Sequence, residues 1–117
     1  MRAMFSGCSA LRLVDFRKAN FSHVKDIFLL FSRCDALVEL WLPLTFDLLT
    51  NIDLSIQSWG ATPEGLASLR WTFGEGADDR TAKGLQPCTV RLNSNVYDRL
   101  TDTERTAAAK KGWTITK

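Results

Sequence analysis

The segment Phe31-Ser32-Arg33-Cys34-Asp35-Ala36-Leu37 echoes Phe5-Ser6-Gly7-Cys8-Ser9-Ala10-Leu11, with five of the seven positions identical at a spacing of 26. The echo continues as apolar matching. Leu11, Val14 and Phe16 fall opposite Leu37, Leu40 and Leu42, so L-x-x-L-x-L spacing occurs twice. Its final positions alternate with period two, which predicts short strands with Val14 and Phe16, then Leu40 and Leu42, on the inner side. One such strand buries too little to close a core, so equivalent units are expected to stack and pair their backbones as a solenoid does.

Between these strands the period changes. Val24, Ile27, Phe28 and Phe31 fall at i, i+3, i+4 and i+7, which predicts a short helix over residues 21–31 with Ser22 as its cap. Each unit therefore reads as strand, turn, short helix. A third strand is expected at Asn51-Ile52-Asp53-Leu54-Ser55-Ile56-Gln57, with Ile52, Leu54 and Ile56 inward.

With Val24, Asp26, Leu30, Phe31, Cys34, Leu37, Leu40 and Leu42 in place, and Met4, Phe5, Cys8, Leu11, Val14 and Phe16 in a partial first unit, residues 4–42 resemble the BspA-like (Treponema pallidum-type) leucine-rich repeat. The stretches Thr89 to Asn93, Tyr97 to Glu104 and Lys111 to Ile115 are similar to the closing segment of such arrays in gut Bacteroidetes-like surface proteins. The resemblance implies an α/β fold, a short leucine-rich-repeat solenoid with a C-terminal helix-strand cap. It also implies a bacterial cell-surface or secreted setting and a role in adhesion.

The C-terminal half carries clear stop and start signals. Thr62-Pro63-Glu64 opens a helix with Leu66, Leu69 and Phe73 buried, and Gly74 ends it. Residues 74–84, with Asp78-Asp79-Arg80 inside, read as an exposed loop, and a strand follows from Cys88 to Leu92. Thr101-Asp102-Thr103-Glu104 has capping-box spacing, Lys110 and Lys111 suit a helix end, and Trp113 and Ile115 make a last strand. The expected organisation is a single domain over 1–117, with leucine-rich repeats over 4–57 and an irregular last repeat and C-terminal cap over 58–117.

The 117 residues carry 15 basic and 13 acidic side chains, a formal +2, and 45% hydrophobic residues. That balance supports one core and offers no field suited to nucleic acid. The longest apolar runs, 27–31 and 40–44, are far below the ~20 residues of a membrane-spanning helix, so no membrane insertion is expected. Residues 1–16 lack the apolar core of a secretory signal. A cytoplasmic protein and a piece of a longer exported chain both stay open. Three cysteines cannot all pair internally, and Cys8 and Cys34 read as buried thiols beside apolar neighbours.

Catalytic patterns are poor. Ser22, His23 and Asp26 would lie within one helical turn instead of converging from separate elements. Cys8, Cys34 and His23 match no structural zinc spacing, Asp78-Asp79 lacks the ligands of a calcium loop, and Gly74-Glu75-Gly76 is too acidic to cradle phosphate. Lys110-Lys111 with Trp113 is explained by helix-end charge and a core tryptophan. No catalytic residue, metal ligand or cofactor is expected. The outward positions of the strands remain: Leu13, Asp15 and Arg17, then Glu39 and Trp41, then Asn51, Asp53 and Ser55, expected as adjacent columns of one exposed sheet. Trp41 is either a binding anchor or packed against a neighbouring strand or Pro43. The expected function is non-enzymatic: binding of a protein or cell-surface ligand on this rigid face. The alternative is an assembly module forming a homo-oligomer through an N-terminal end where Phe5, Leu11 and Phe16 are uncovered.

Overall fold

Leu13–Asp15 (β1) and Glu39–Trp41 (β2) run side by side and parallel, Leu13 opposite Glu39, Val14 opposite Leu40 and Asp15 opposite Trp41. That register is the 26-residue offset of the sequence echo. The computed structural model describes residues 8–27, 31 and 33–117. Over them the pairing goes no further, and the expected leucine-rich-repeat solenoid is not formed. The described residues make a small compact α/β fold with two small parallel sheets and three helices. The third expected strand, Asn51–Leu54 (β3), does not join β2. It pairs with Cys88–Leu92 (β4), Asn51 opposite Thr89, and β4 pairs in turn with Trp113–Thr116 (β5).

The helix Pro63–Phe73 (α1) supplies the reason. Its start is as the sequence predicts: Thr62 Oγ1 accepts from the Gly65 N–H at 3.0 Å and proline stands at the first position. Leu69 and Phe73 are buried as expected and Leu66 packs partly on the core, but the buried face extends further, onto small and polar residues. Gly65, Ser68 and Thr72 are buried with Leu69 and Phe73, and they lie along the edge of β2 that faces away from β1. Leu40 N–H donates to Ser68 Oγ at 3.1 Å and Leu42 N–H donates to Thr72 Oγ1 at 3.3 Å. Gly60 N–H donates to the Val38 carbonyl at 2.9 Å. Donors spaced two apart on the strand are thus met by hydroxyls spaced four apart on the helix, close to the same rise along both. A β-carbon at Gly65 would stand 2.0 Å from the Val38 oxygen, so glycine is what allows the approach. A strand edge whose donors are taken by side chains has no donors left for another strand.

The segment before β2 departs from expectation as well. Over Phe21 to Ile27 there is no helix and Ser22 caps none; Phe28 to Leu30 and Ser32 lie outside the described residues. Phe21 N–H donates to Thr45 Oγ1 (2.9 Å), Ser22 N–H to Asn20 Oδ1 (2.8 Å) and Val24 N–H to the Phe21 carbonyl (3.0 Å). Those donors are committed to turns and to a distant hydroxyl. The Phe21 ring stacks on Phe46 at 5.1 Å and meets the edge of Phe16 at 5.6 Å, which fixes the turn on the core.

Two helices without counterpart in the first sheet close the second. Ser94–Arg99 (α2), not expected from the sequence, is capped by Asn93. Asp102–Lys110 (α3) has the reciprocal capping box, Thr101 N–H to Glu104 Oε1 at 2.8 Å and Glu104 N–H to Thr101 Oγ1 at 3.1 Å. The loop 74–84 is only partly exposed. Ala77 bridges to Leu44, and Arg80 is buried to 1% exposure. Its Nε donates to the Gln86 carbonyl at 2.8 Å and its Nη1 to the Phe46 carbonyl at 2.5 Å, and its guanidinium lies 5.0 Å from the Trp113 ring centre. One core runs beneath both sheets, with Leu40, Leu42, Ile52, Leu54, Trp59, Leu69, Val90 and Trp113 all at 1% exposure or less.

Replacing Thr72 by Val keeps shape and removes the acceptor for Leu42. The buried N–H then lacks a partner, at a cost of about 1–3 kcal/mol. Urea unfolding of T72V should show that loss, and an unchanged midpoint would contradict the role assigned to the hydroxyl.

Candidate functional site

The exposed side of β1 and β2 brings five of the eight predicted residues together. Val14 and Leu40 point into the core, so Leu13, Asp15, Glu39 and Trp41 share the other face, and Leu13 stands 52% exposed. Arg17 follows β1 and forks onto Asp15, with Nε to Oδ1 at 3.0 Å, Nε to Oδ2 at 3.1 Å and Nη2 to Oδ2 at 2.7 Å. The Arg17 backbone N–H donates to the same carboxylate at 3.0 Å. So held, the guanidinium carbon lies 4.4 Å from the centre of the Trp41 ring. From the other strand, Glu39 Oε2 accepts from Trp41 Nε1 at 2.6 Å. Each carboxylate therefore orients one member of the Arg17–Trp41 stack.

Trp41 is half-buried rather than fully exposed. Its ring meets Trp71 of α1 edge-on, with centres 5.9 Å apart and planes at 65°. Trp71 does not stand out in the sequence, because Leu69 and Phe73 define the apolar stripe of its helix. Of the alternatives for Trp41, packing is real, and one partner is Trp71 of the helix α1. Its indole N–H is taken by Glu39, and the stacked Arg17 is exposed.

Asn51, Asp53 and Ser55 lie elsewhere, because β3 belongs to the second sheet. The single run of columns expected over three strands is divided in two. Asp53 Oδ1 accepts from Ser55 N–H at 3.0 Å and from Ser55 Oγ at 2.5 Å, and Asp53 Oδ2 stands 4.0 Å from Arg91 on β4. Lys25, Asp26, Ile27 and Leu49 join Asn51, Asp53 and Arg91 around an open cleft of about 430 Å³. Arg91 was within reach of the sequence, as an outward position on the alternating strand Cys88–Leu92.

His23 is exposed in the turn after Asn20, with Ser22 partly buried beside it. Among the described residues no group of three or more His, Cys, Asp and Glu side chains is placed to hold a metal ion, and no described helix is long and apolar enough to cross a membrane. Leu11 and Phe16 are half-buried and packed on the core, while Phe5 lies outside the described residues. No family model, curated protein or solved structure matches the chain, so none of these comparisons identifies a leucine-rich-repeat family.

The Arg17 side chain, and after it the Arg17 backbone N–H, hold the Asp15 carboxyl below its ordinary value of 3.8. A depressed carboxyl means that the pair is intact above that ordinary value and is lost as pH falls through the lower, folded-state value. Carboxyl-resolved NMR titration should place Asp15 below 3.8 in the native chain and return it toward 3.8 in Arg17→Leu. The same midpoint in both proteins would contradict the pairing.

Proposed function

We propose that this chain is a non-enzymatic interaction module that binds a protein ligand on the exposed face of β1 and β2. The observation that carries the reading is the Arg17–Trp41 stack, fixed from one strand by Asp15 and from the other by Glu39. Tryptophan and arginine dominate the energetics of protein interfaces. Side chains already held in one conformation lose little further entropy when a partner arrives. The four-residue arrangement supplies both, beside an exposed Leu13 that offers apolar area. The cell-surface or secreted setting rests only on the resemblance of residues 4–42 and of the C-terminal stretches.

Because Trp41 also packs on Trp71, its removal mixes binding with stability. Arg17 is the cleaner probe. Peptides selected on the wild-type chain from a random display library should lose on the order of tenfold or more affinity for Arg17→Ala. The melting temperature should change little, since an exposed pair contributes little to folding. Selected peptides that bind Arg17→Ala as well as wild type would remove the site.

A second reading is assembly through the N-terminal end. Val14 directs its backbone groups at β2, and the alternate groups of Leu13 and Asp15 on the outer edge pair with no described strand. Sedimentation at high concentration separates the readings: dimers that dissociate in a Leu13→Lys variant support assembly, and a strict monomer contradicts it.

A further inference from the structure

Two thiols occupy matching places on two stacked turns. The turn Cys8 to Leu11 is closed by Leu11 N–H to the Cys8 carbonyl at 3.1 Å, and the turn Cys34 to Leu37 by Leu37 N–H to the Cys34 carbonyl at 3.2 Å. Each cysteine stands five residues before its strand, and the strands pair at the same 26-residue offset that separates the cysteines. Adjacent strands in register lie about 4.8 Å apart, inside the ~4.4–6.8 Å range of Cα separations in disulfides. The side chains agree with that proximity, since the Cys34 sulfur accepts from the Cys8 backbone N–H and lies close enough to feel the Cys8 thiol.

We propose that Cys8 and Cys34 form a thiol–disulfide exchange site for small disulfides of the glutathione class, with Cys8 the entry thiol and Cys34 the resolving thiol. The division of labour follows from exposure. Cys8 is partly exposed and Cys34 is 2% exposed, so a small disulfide meets Cys8 first. Burial also raises the Cys34 thiol above its ordinary value, so less of it is thiolate and it is the poorer first attacker of the two; its attack on the mixed disulfide is helped by proximity alone. Cys8 thiolate attacks one sulfur of the disulfide RSSR, forms the mixed disulfide and releases RS⁻, which takes up a proton. Cys34, giving up its proton, then attacks the Cys8 sulfur, forms the Cys8–Cys34 bond and releases the second RS⁻. Two electrons and two protons pass from the cysteine pair to RSSR, leaving one protein disulfide and two RSH. Cys88 takes no part. It is buried on β4 in the other sheet, and burial pushes its thiol up to about 11.

Incubation of the full folded chain with oxidised glutathione, followed by intact-mass and peptide mapping, tests the site. The expected product is lighter by two hydrogens, carries a Cys8–Cys34 link and melts higher than the reduced chain, because a closed loop restricts the unfolded state. Cys34→Ser should stop at one glutathione adduct on Cys8, Cys8→Ser should remain unmodified, and Cys88→Ser should behave as wild type. Wild-type chain that stops at a stable glutathione adduct, stays unmodified, or links through Cys88 overturns the proposal. Mapping of the wild-type product separates these outcomes even where a cysteine variant fails to fold.

Discussion

Two hydroxyl groups on one helix determine how far the parallel pairing of this chain extends. Ser68 Oγ accepts from Leu40 N–H and from Trp59 Nε1 and donates to the Gly65 carbonyl at 2.6 Å, so its one donor and two acceptor sites are all in use. Thr72 Oγ1 serves the next outward donor, Leu42, just past the end of β2. A buried edge N–H without a partner costs more than an ordinary hydrogen bond returns, so some group has to meet each of these donors. In a solenoid that group is the next strand. Here it is a helix, admitted to the strand by the absence of a side chain at Gly65. β3 is consequently left to seek β4, and the fold divides into two sheets over a shared core.

The same helix shapes the surface. Ser68 and Thr72 face the β2 backbone, which turns Trp71 of that helix toward Trp41 on the outer face. Trp41 then has a helix ring on one side, the Arg17 guanidinium against its face and Glu39 on its N–H. Edge closure and pre-organisation of the proposed binding surface are therefore two results of one docking event. Arg80 plays a corresponding part at the other end. Its buried guanidinium, which donates to the Gln86 and Phe46 carbonyls and lies on Trp113, ties the loop after β2 to the segment that enters β4 and to the first residue of β5.

Much of the local structure is legible in the sequence. The 26-residue echo locates β1 and β2 and their register, alternation places Val14, Leu40, Ile52 and Leu54 inward, and the signals at Thr62-Pro63 and Thr101-Glu104 locate two helix starts. Structure and sequence pattern part where a polar residue takes a place usually reserved for an apolar one. The apolar pattern does not mark Ser68 and Thr72, and Arg80 falls in a stretch that reads as an exposed loop, yet each is buried with its polar atoms on backbone partners. Over the described part of 21–31 turns replace the expected helix, with Phe21 N–H on Thr45 Oγ1 and Ser22 N–H on Asn20 Oδ1. Of the candidate site, the outward parity of Asp15, Arg17, Glu39 and Trp41 is readable. Their joining to Trp71, and their separation from Asn51, Asp53 and Ser55, depend on which edge a helix occupies, and strand alternation carries no information on that.

Amide hydrogen exchange at Leu40 and Leu42 reports whether the helix closes the β2 edge. If hydroxyls of α1 close the β2 edge, both amides exchange slowly, with protection comparable to that of the Trp41 amide inside the β1–β2 pair, although no strand lies beside them. Exchange of Leu40 and Leu42 at the rate of an exposed edge strand, with Trp41 still protected, would contradict it.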